Sequence, residues 1–377
     1  MSSRPVVGEK PATIDDVARA AGVSRFTVSA VLNGARSNTR VSETTRQRIM
    51  ESATDLRYRP NAQARSLALR RTRTIGVLFD LIESTAAIEN SYAAGVLQGI
   101  VREARGVHND VLIYTEPKSH DGLPGTDFRD QRTDGVIVIA PLLGSLIVER
   151  VMEARIPVCI ISSNPALDLP ISRVDADNVQ GVRSVVTHLL DLGHRRIAHI
   201  TGREGVPSTM LRREIFQSAL AEVGIPVPPA YIVGSPYDGF PVQATLPALM
   251  ALPEPPTAIF AFNDDVALAV LGTARSLRIS IPEQLSVVGF DDIPTASHSV
   301  PRLTTVWQPL KEMGAAAVRR LLEQIDGKQE IGDESLPTTL VVRESTAPPP
   351  SVAESEEAPQ FVLADMISVN TQKGLQQ

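Results

Sequence analysis

ATIDDVARAAGVSRFTVSAVLNG, residues Ala12 to Gly34, is the stretch from which the rest of the chain can be read. Thr13-Ile14-Asp15-Asp16 has the form of a capping box, in which a hydroxyl and a carboxylate three residues apart satisfy orphan backbone donors. Ile14, Val17, Ala18 and Ala21 then recur at helical spacing. Gly22-Val23 breaks the pattern, and Ser24 can cap a second helix carrying Val28, Val31 and Leu32. Ala18 is small enough for that helix to cross closely. Gly22 permits the sharp turn, while Val23, Val28 and Val31 fill the space between. These are the requirements of a helix-turn-helix. Ser24, Arg25, Thr27 and Ser29 fall on the exposed end and face of the second helix. A plain helical hairpin would show similar spacing, so the surroundings must decide.

The surroundings are basic. Residues 1–74 carry Lys10 and thirteen arginines against six acids, a net +8, which leaves −14 in the remainder of a chain whose total is −6. A small basic head on a large acidic body suggests that the head meets a polyanion and the body does not. Ser42 opens a third helix whose apolar positions are Ile49, Ala53 and Leu56. Pro60-Asn61 ends that unit and can start one short helix more, Ala62 to Leu69.

From Thr74 the pattern changes. Thr74–Phe79, Val111–Tyr114, Gly135–Ile139, Val158–Ile161, Ile197–Ile200, Ala258–Phe262 and Leu285–Phe290 are short apolar runs separated by helical stretches. Near-continuous apolar strands of this kind imply buried parallel sheets with helices on both faces. The 377 residues suggest two or three folded units, and the long sheet-forming region suggests two similar lobes. Past Ala347 the chain turns to Pro348-Pro349-Pro350 and then acids. That composition predicts a disordered tail, in which Phe361 to Val369 could dock. The single cysteine, Cys159, sits in an apolar run and reads as a buried structural thiol. No run is long and apolar enough for a bilayer span, and MSSRPVVGEKP has no apolar core of a secretory signal, so the expected compartment is the cytoplasm.

Ala12–Gly34, followed by VSETTRQRIMESATDLRYRPNAQARSLA (Val41–Ala68), resembles the lac repressor (LacI/GalR) family of bacterial transcriptional regulators. The similarity continues through DGVIVIAP (Asp134–Pro141), DLGHRRIAHITG (Asp191–Gly202), PTAIFAFNDDVALAVL (Pro256–Leu271), SVVGFDDIP (Ser286–Pro294) and PRLTTVWQP (Pro301–Pro309). It spans roughly residues 12–347. Two places depart from the family pattern: the loop Gly34 to Arg40 is longer than in many members, and Glu116 to Arg132 looks short for a full strand-helix unit. The implied fold is an all-α helix-turn-helix DNA-binding head joined to an α/β, two-lobed, periplasmic-binding-protein-like effector domain with parallel sheets. The implied boundaries are 1–59 for the head, 60–73 for a hinge helix and linker, 74–347 for the ligand-binding and dimerisation domain, and 348–377 for the tail.

The resemblance implies that Ser24 to Leu32 enters the major groove. Arg25 can donate twice to a guanine edge, and Phe26 and Ala30 can touch a thymine methyl. Ser24, Thr27, Ser29, Asn33, Ser42 and Thr45 are short groups suited to phosphates, and Arg36 and Arg40 could add to them. In the hinge, Leu67 would be a minor-groove wedge, with Ala64 and Arg65 nearby. In open parallel sheets, ligands lie beyond the carboxyl ends of the strands. There the family places Ser162, Arg212, Asn263 and Asp291 in an effector cleft, with Tyr92, Tyr237 and Trp307 as stacking walls. Such a set suits the hydroxyls and apolar face of a sugar, and could also hold a purine. Asp264 and Asp292 could instead cap helices, and many relatives carry an acid where Ser162 stands.

The expected protein is thus a homodimeric, effector-controlled regulator, most simply a repressor, on a near-palindromic operator, with no cofactor, metal or membrane. A tail-driven tetramer is not expected, since the tail has no leucine heptads. A binding protein of the periplasmic sugar-receptor type would share the body, but the basic head and the missing signal argue against it. A nucleotide-dependent enzyme would need a phosphate loop, and no G-x-G-x-x-G follows the first strand. The chain also has no G-x-x-x-x-G-K-[ST], H-E-x-x-H or G-x-S-x-G. His194 and His199 are not spaced as a helical metal pair and read as turn and strand packing.

Overall fold

The structure, a computed structural model, describes residues 12–33, 41–59, 66, 71–80, 90–115, 128–162, 171–234, 242–328 and 332–350. Helix α1 (Ile14–Ala21) starts on the capping box foreseen for it. The Asp16 N–H donates to the Thr13 hydroxyl at 3.3 Å, and the Thr13 N–H donates to the Asp16 carboxylate at 2.9 Å. Gly22 ends it at φ +63, a left-handed position that side-chain-bearing residues occupy at a cost. Helix α2 (Arg25–Asn33) and helix α3 (Glu43–Asp55) start at Ser24 and Ser42. Each hydroxyl accepts the N–H three residues on, Thr27 and Thr45, at 3.2 Å. Val17, Ala21, Val28 and Ile49 are essentially inaccessible, with Ala18 and Ala53 at the edges of this small core. Leu56, expected on the apolar face of the third helix, instead lies at its C-cap and is exposed.

Apart from the head, the chain folds as two α/β units. Unit 1 comprises residues up to Asp175 together with Leu310–Ser335. Unit 2 comprises Ala176–Pro309 and the chain from Leu336, so the chain passes between them three times. The sequence led us to expect two similar lobes without showing this discontinuity.

Unit 1 begins with β1 (Thr74–Phe79), α4 (Ser91–Gly106), β2 (Asp110–Ile113), β3 (Gly135–Ile139), α5 (Ile147–Glu153), β4 (Val158–Ile161) and β5 (Ser172–Ala176). Unit 2 follows with α6 (Asn178–Asp191), β6 (Ile197–Thr201), α7 (Pro207–Ala221), β7 (Ile232–Gly234), α8 (Val242–Met250), β8 (Ala258–Ala261), α9 (Asp264–Ser276), β9 (Ser286–Asp291) and β10 (Thr304–Trp307). The chain then returns to unit 1 as α10 (Leu310–Ile325) and β11 (Asp333–Leu336), and β12 (Thr339–Val341) closes unit 2.

The sheets run β11-β5-β4-β3-β1-β2 and β12-β10-β9-β8-β6-β7. Both are wound alike, the second strand outside the first and the third on its other side. The winding reverses beside β1 and β6, the position where open sheets bind ligands. The pairs β1–β2, β1–β3, β3–β4 and β4–β5 are parallel, as are β6–β7, β6–β8, β8–β9 and β9–β10; β12 runs antiparallel to β10. Among the described residues, the short region after β2 holds one three-residue turn, Phe128–Asp130, and β2 is the edge strand there.

Buried strands need buried neighbours. In unit 1, α10 packs on α4 backbone to backbone: a Cβ at Gly99 would lie 2.0 Å from the Lys311 carbonyl oxygen. In unit 2, the His199 ring stacks on Phe260, 4.7 Å between centroids, and its Nδ1 meets the Phe260 carbonyl at 2.9 Å. Full burial there pushes the imidazole down to about 4. His194 joins Thr257, Ser286 and the Ala347 carbonyl, so both histidines pack turns and strands. Cys159 is buried, and burial pushes its thiol up to about 12, which keeps it an inert thiol. No helix among the described residues is long and apolar enough to cross a membrane.

Candidate functional site

In the head, one face of α2 is spent on packing and the other is free for contact. Val28 is fully buried, whereas Phe26, two residues earlier, is 85% exposed. A single exposed phenylalanine is ordinary on a protein surface; this one stands on the side of α2 turned away from Val28. Arg25 is also exposed and lies 3.9 Å from Asp15, a loose ion pair that costs little to exchange. Ala30 is half-buried beside them. Ser24, Thr27, Ser42 and Thr45 make mutual hydroxyl contacts of 2.8 Å at the starts of α2 and α3. The two serine hydroxyls serve as caps, and each threonine hydroxyl bonds its capping serine. Ser29 is half-buried on the same helix. The Asn33 side chain, Arg36, Arg40, Ala64, Arg65, Leu67 and Tyr237 lie outside the described residues.

At the carboxyl end of the first sheet, Ser162 follows β4 with φ +57, a left-handed conformation that a serine holds only under constraint. Its hydroxyl lies 2.6 Å from the Tyr92 hydroxyl and donates to Asp175 at 3.3 Å. Tyr92 is placed by α4, whose start is capped by Asn90 accepting the Ala93 N–H at 2.9 Å. Asp80, just beyond β1, is buried and accepts the Leu142 N–H at 2.8 Å, which ties the loops after β1 and β3 together.

The second sheet ends in charge. Arg212, on α7, is 4% exposed. Its Nε donates to Asn178 at 2.8 Å, its Nη1 donates to the Phe262 carbonyl at 2.8 Å, and its guanidinium centre sits 3.7 Å from the Phe290 ring centroid. Asp291, at φ +123, accepts a hydrogen bond from Gln308. Burial pushes the Asp291 carboxyl well above the usual carboxylate range, against the pull of the Arg212 charge. Asn263 caps α9, its oxygen accepting the Val266 N–H at 3.0 Å. Trp307, the last residue of β10, is 38% exposed.

Neither acid next in line is a helix cap. Asp264 is fully inaccessible, accepts the Ile293 N–H at 2.9 Å and takes the Thr305 hydroxyl, and burial pushes it up to about 6. Asp292 pairs with Arg343 at 2.6 Å. The cap of α9 is Asn263, one position before Asp264, and the short turn after Asp292 starts at Ile293 with no side-chain cap.

Three groups in these clusters escaped the sequence reading: Asn178, Asp175 and Gln308. Asn178 and Asp175 flank the end of SRVDA, a polar-apolar alternation that had not been read as a strand. Gln308 directly follows Trp307, and its buried amide shows only once β9 and β10 are paired.

Residues 13–61 match the family described as bacterial regulatory proteins, lacI family, and residues 186–346 match a periplasmic binding protein-like domain. The chain is 31% identical over 336 residues to the probable HTH-type transcriptional repressor ExuR of Bacillus subtilis (strain 168), covering 88% of this chain and 98% of that one. Among solved structures it is similar to the lac repressor dimer bound to operator and the anti-inducer ONPF, with 28% identity, TM-score 0.75, and 90% and 100% of the two chains covered. A transcriptional regulator CelR–cellobiose complex is matched at 29% identity and TM-score 0.66, over 89% and 99%.

Proposed function

The chain belongs to the lacI family of bacterial regulatory proteins, and on that premise we propose that it is a repressor that reads a near-palindromic operator as a homodimer. A DNA-binding transcriptional regulator with an effector-binding domain is the family's activity, and its relatives are repressors rather than enzymes. The observation that carries the finer reading is α2. A helix with Val28 in the core and Phe26 in water presents a fixed face, and Arg25 stands on it.

In this reading Arg25, Phe26 and Ala30 contact bases, while Ser24, Thr27, Ser29, Asn33, Ser42 and Thr45 contact phosphates that set the register. Residues 1–59 form the head, 60–73 the hinge and linker with Ala64, Arg65 and the wedge Leu67, 74–347 the effector and dimerisation domain, and 348–377 the tail. The protein works in the cytoplasm, where the chromosome is. The effector is a sugar or sugar derivative rather than a purine. Ser162, Arg212, Asn263 and Asp291 supply hydroxyl-binding groups, and Tyr92, Tyr237 and Trp307 are the walls that cover an apolar ring face. The 38% exposure of Trp307, beside buried donors and acceptors, supports this assignment.

Selection of binding sites from a random duplex library at fixed salt tests the reading. An enriched palindrome with a fixed centre supports it, and an unenriched pool overturns it. Arg25→Ala should then relax preference at one base position by roughly 1–3 kcal/mol, and an equal loss on random DNA would reassign Arg25 to phosphate. Trp307 is the only tryptophan of the chain, so its fluorescence reports effector binding directly. Titration with neutral sugars should shift the emission, and a response to nucleobases alone would reverse the effector class.

A further inference from the structure

The segment that joins head to body is held at two carboxylates that DNA reading and effector binding leave unused. Ser66 is helical, and its carbonyl accepts the Arg71 N–H at 3.2 Å. Immediately afterwards the chain meets Asp134, in the turn before β3. One Asp134 oxygen accepts the Thr72 N–H at 2.6 Å and the Thr72 hydroxyl at 2.8 Å, and the other accepts the Arg73 N–H at 2.7 Å. The Asp134 N–H donates to the Thr74 carbonyl at 2.9 Å, where β1 starts. The Asp134 side chain is only 10% exposed. Arg71 lies 3.7 Å from Asp134 through Nε, and its Nη1 donates to Asp326 at 2.9 Å, one residue beyond α10.

We propose that Asp134 is a positioning residue for DNA recognition, fixing the point and the direction in which the linker leaves the body. A linker held by one hydrogen bond can pivot. Two successive backbone N–H groups bound to the two oxygens of one carboxylate fix a peptide plane. Only a carboxylate offers both acceptors, since an asparagine at this place would face one of the two donors with an NH₂ group. Charge assistance strengthens both bonds. The Arg71–Asp326 pair is exposed and adds little by itself. It ties the same point to the stretch 310–335, whose two ends both continue into unit 2. The short helix that the sequence predicts over 62–69, outside the described residues but for Ser66, would not hold its own geometry in water, so its direction would be set by what its ends are attached to.

The inference rests on the head being the DNA-reading element, and its test keeps the two apart. Full-length wild type, Asp134→Asn, Thr72→Pro and Asp326→Ala are measured against the duplex recovered by selection and against a random duplex at the same salt. Trypsin cleavage after Arg71 and Arg73 is timed in parallel. Asp134→Asn should weaken binding to the selected duplex by about tenfold, leave the random duplex unchanged and speed both cleavages. Asp326→Ala should weaken the selected duplex by about two- to threefold. Unchanged selectivity in Asp134→Asn, or an equal loss on both duplexes, overturns the positioning role. If Asp134→Asn unfolds by Trp307 fluorescence, Thr72→Pro, which removes the Thr72 N–H and leaves the linker on one backbone bond, decides: lost selectivity supports the role and retained selectivity overturns it. A wild type that binds both duplexes alike overturns the reading of the head, and the positioning role with it.

Discussion

At the carboxyl end of the first sheet, Ser162 and Tyr92 share a 2.6 Å hydroxyl contact that runs on to Asp175. At the same place in the second sheet, Arg212, Asp291 and Asp264 sit buried, Arg212 on Asn178 and the Phe262 carbonyl, Asp291 on Gln308 and Asp264 on the Ile293 N–H. The two sheets are wound in the same order, so winding placed both clusters but did not choose their chemistry. Hydroxyls rotate about one torsion and exchange partners cheaply. A buried guanidinium held on two acceptors and against two ring faces cannot. One end is therefore adaptable and the other is preorganised, and a ligand touching Arg212 meets groups already ordered for it.

Removing the preorganised charge should have the largest effect. Arg212→Ala leaves Asn178 and the Phe262 carbonyl without their donor and Asp291 without its positive neighbour. The expected loss is roughly 3–5 kcal/mol in urea unfolding followed by Trp307 emission. A loss below about 1 kcal/mol would mean that the cluster is effectively solvated, and the contrast between the sheets would vanish.

pH sharpens the comparison next. His199 falls from the usual 6.5 to about 4 in the fold, so its contribution is complete above pH 6.5 and is lost as pH drops toward 4, by on the order of 3 kcal/mol. Asp264 rises from 3.8 to about 6, so its contribution is complete below pH 3.8 and is lost as pH climbs to 6. The two oppose each other between pH 4 and 6. His199→Phe, with a ring that suits the stack on Phe260, should expose the Asp264 trend, with unfolding free energy rising as pH is lowered through that window. An unchanged pH profile in this variant would show that His199 is not the acid-sensitive group of unit 2.

Smaller effects belong to the hydroxyl cluster. Ser162→Ala should cost about 1 kcal/mol in the same unfolding assay. Tyr92→Phe should cost about 0.5 kcal/mol, because Ser162 keeps Asp175 as an acceptor. Losses as large as that of Arg212→Ala would show that the first sheet end is no more adaptable than the second.

Much of this was legible beforehand. The strands at Thr74–Phe79, Gly135–Ile139 and Val158–Ile161 fall where continuous apolar runs placed them, since a strand buried on both faces has no polar face to interrupt it. The caps at Thr13, Ser24 and Ser42 were legible because each is a bond between residues three apart. SRVDA, IVG, TTVW, DESL and TLV were not assigned as strands. They are short, partly polar or at sheet edges, and their order comes from partners far along the chain.

The sequence by itself determined the helix starts of the head, the buried strands, the charge asymmetry and the family, because all of these are written in neighbouring residues. Only the tertiary structure decided that Asn263 rather than Asp264 caps its helix, and that Arg212 spends its donors on Asn178 and Phe262. It also decided that Asp134 holds Thr72 and Arg73, and that each unit is built from separate stretches of chain. Each of the last three joins residues tens of positions apart. Such a contact repays its loop-closure entropy only once the sheets have paired, so no local pattern announces it.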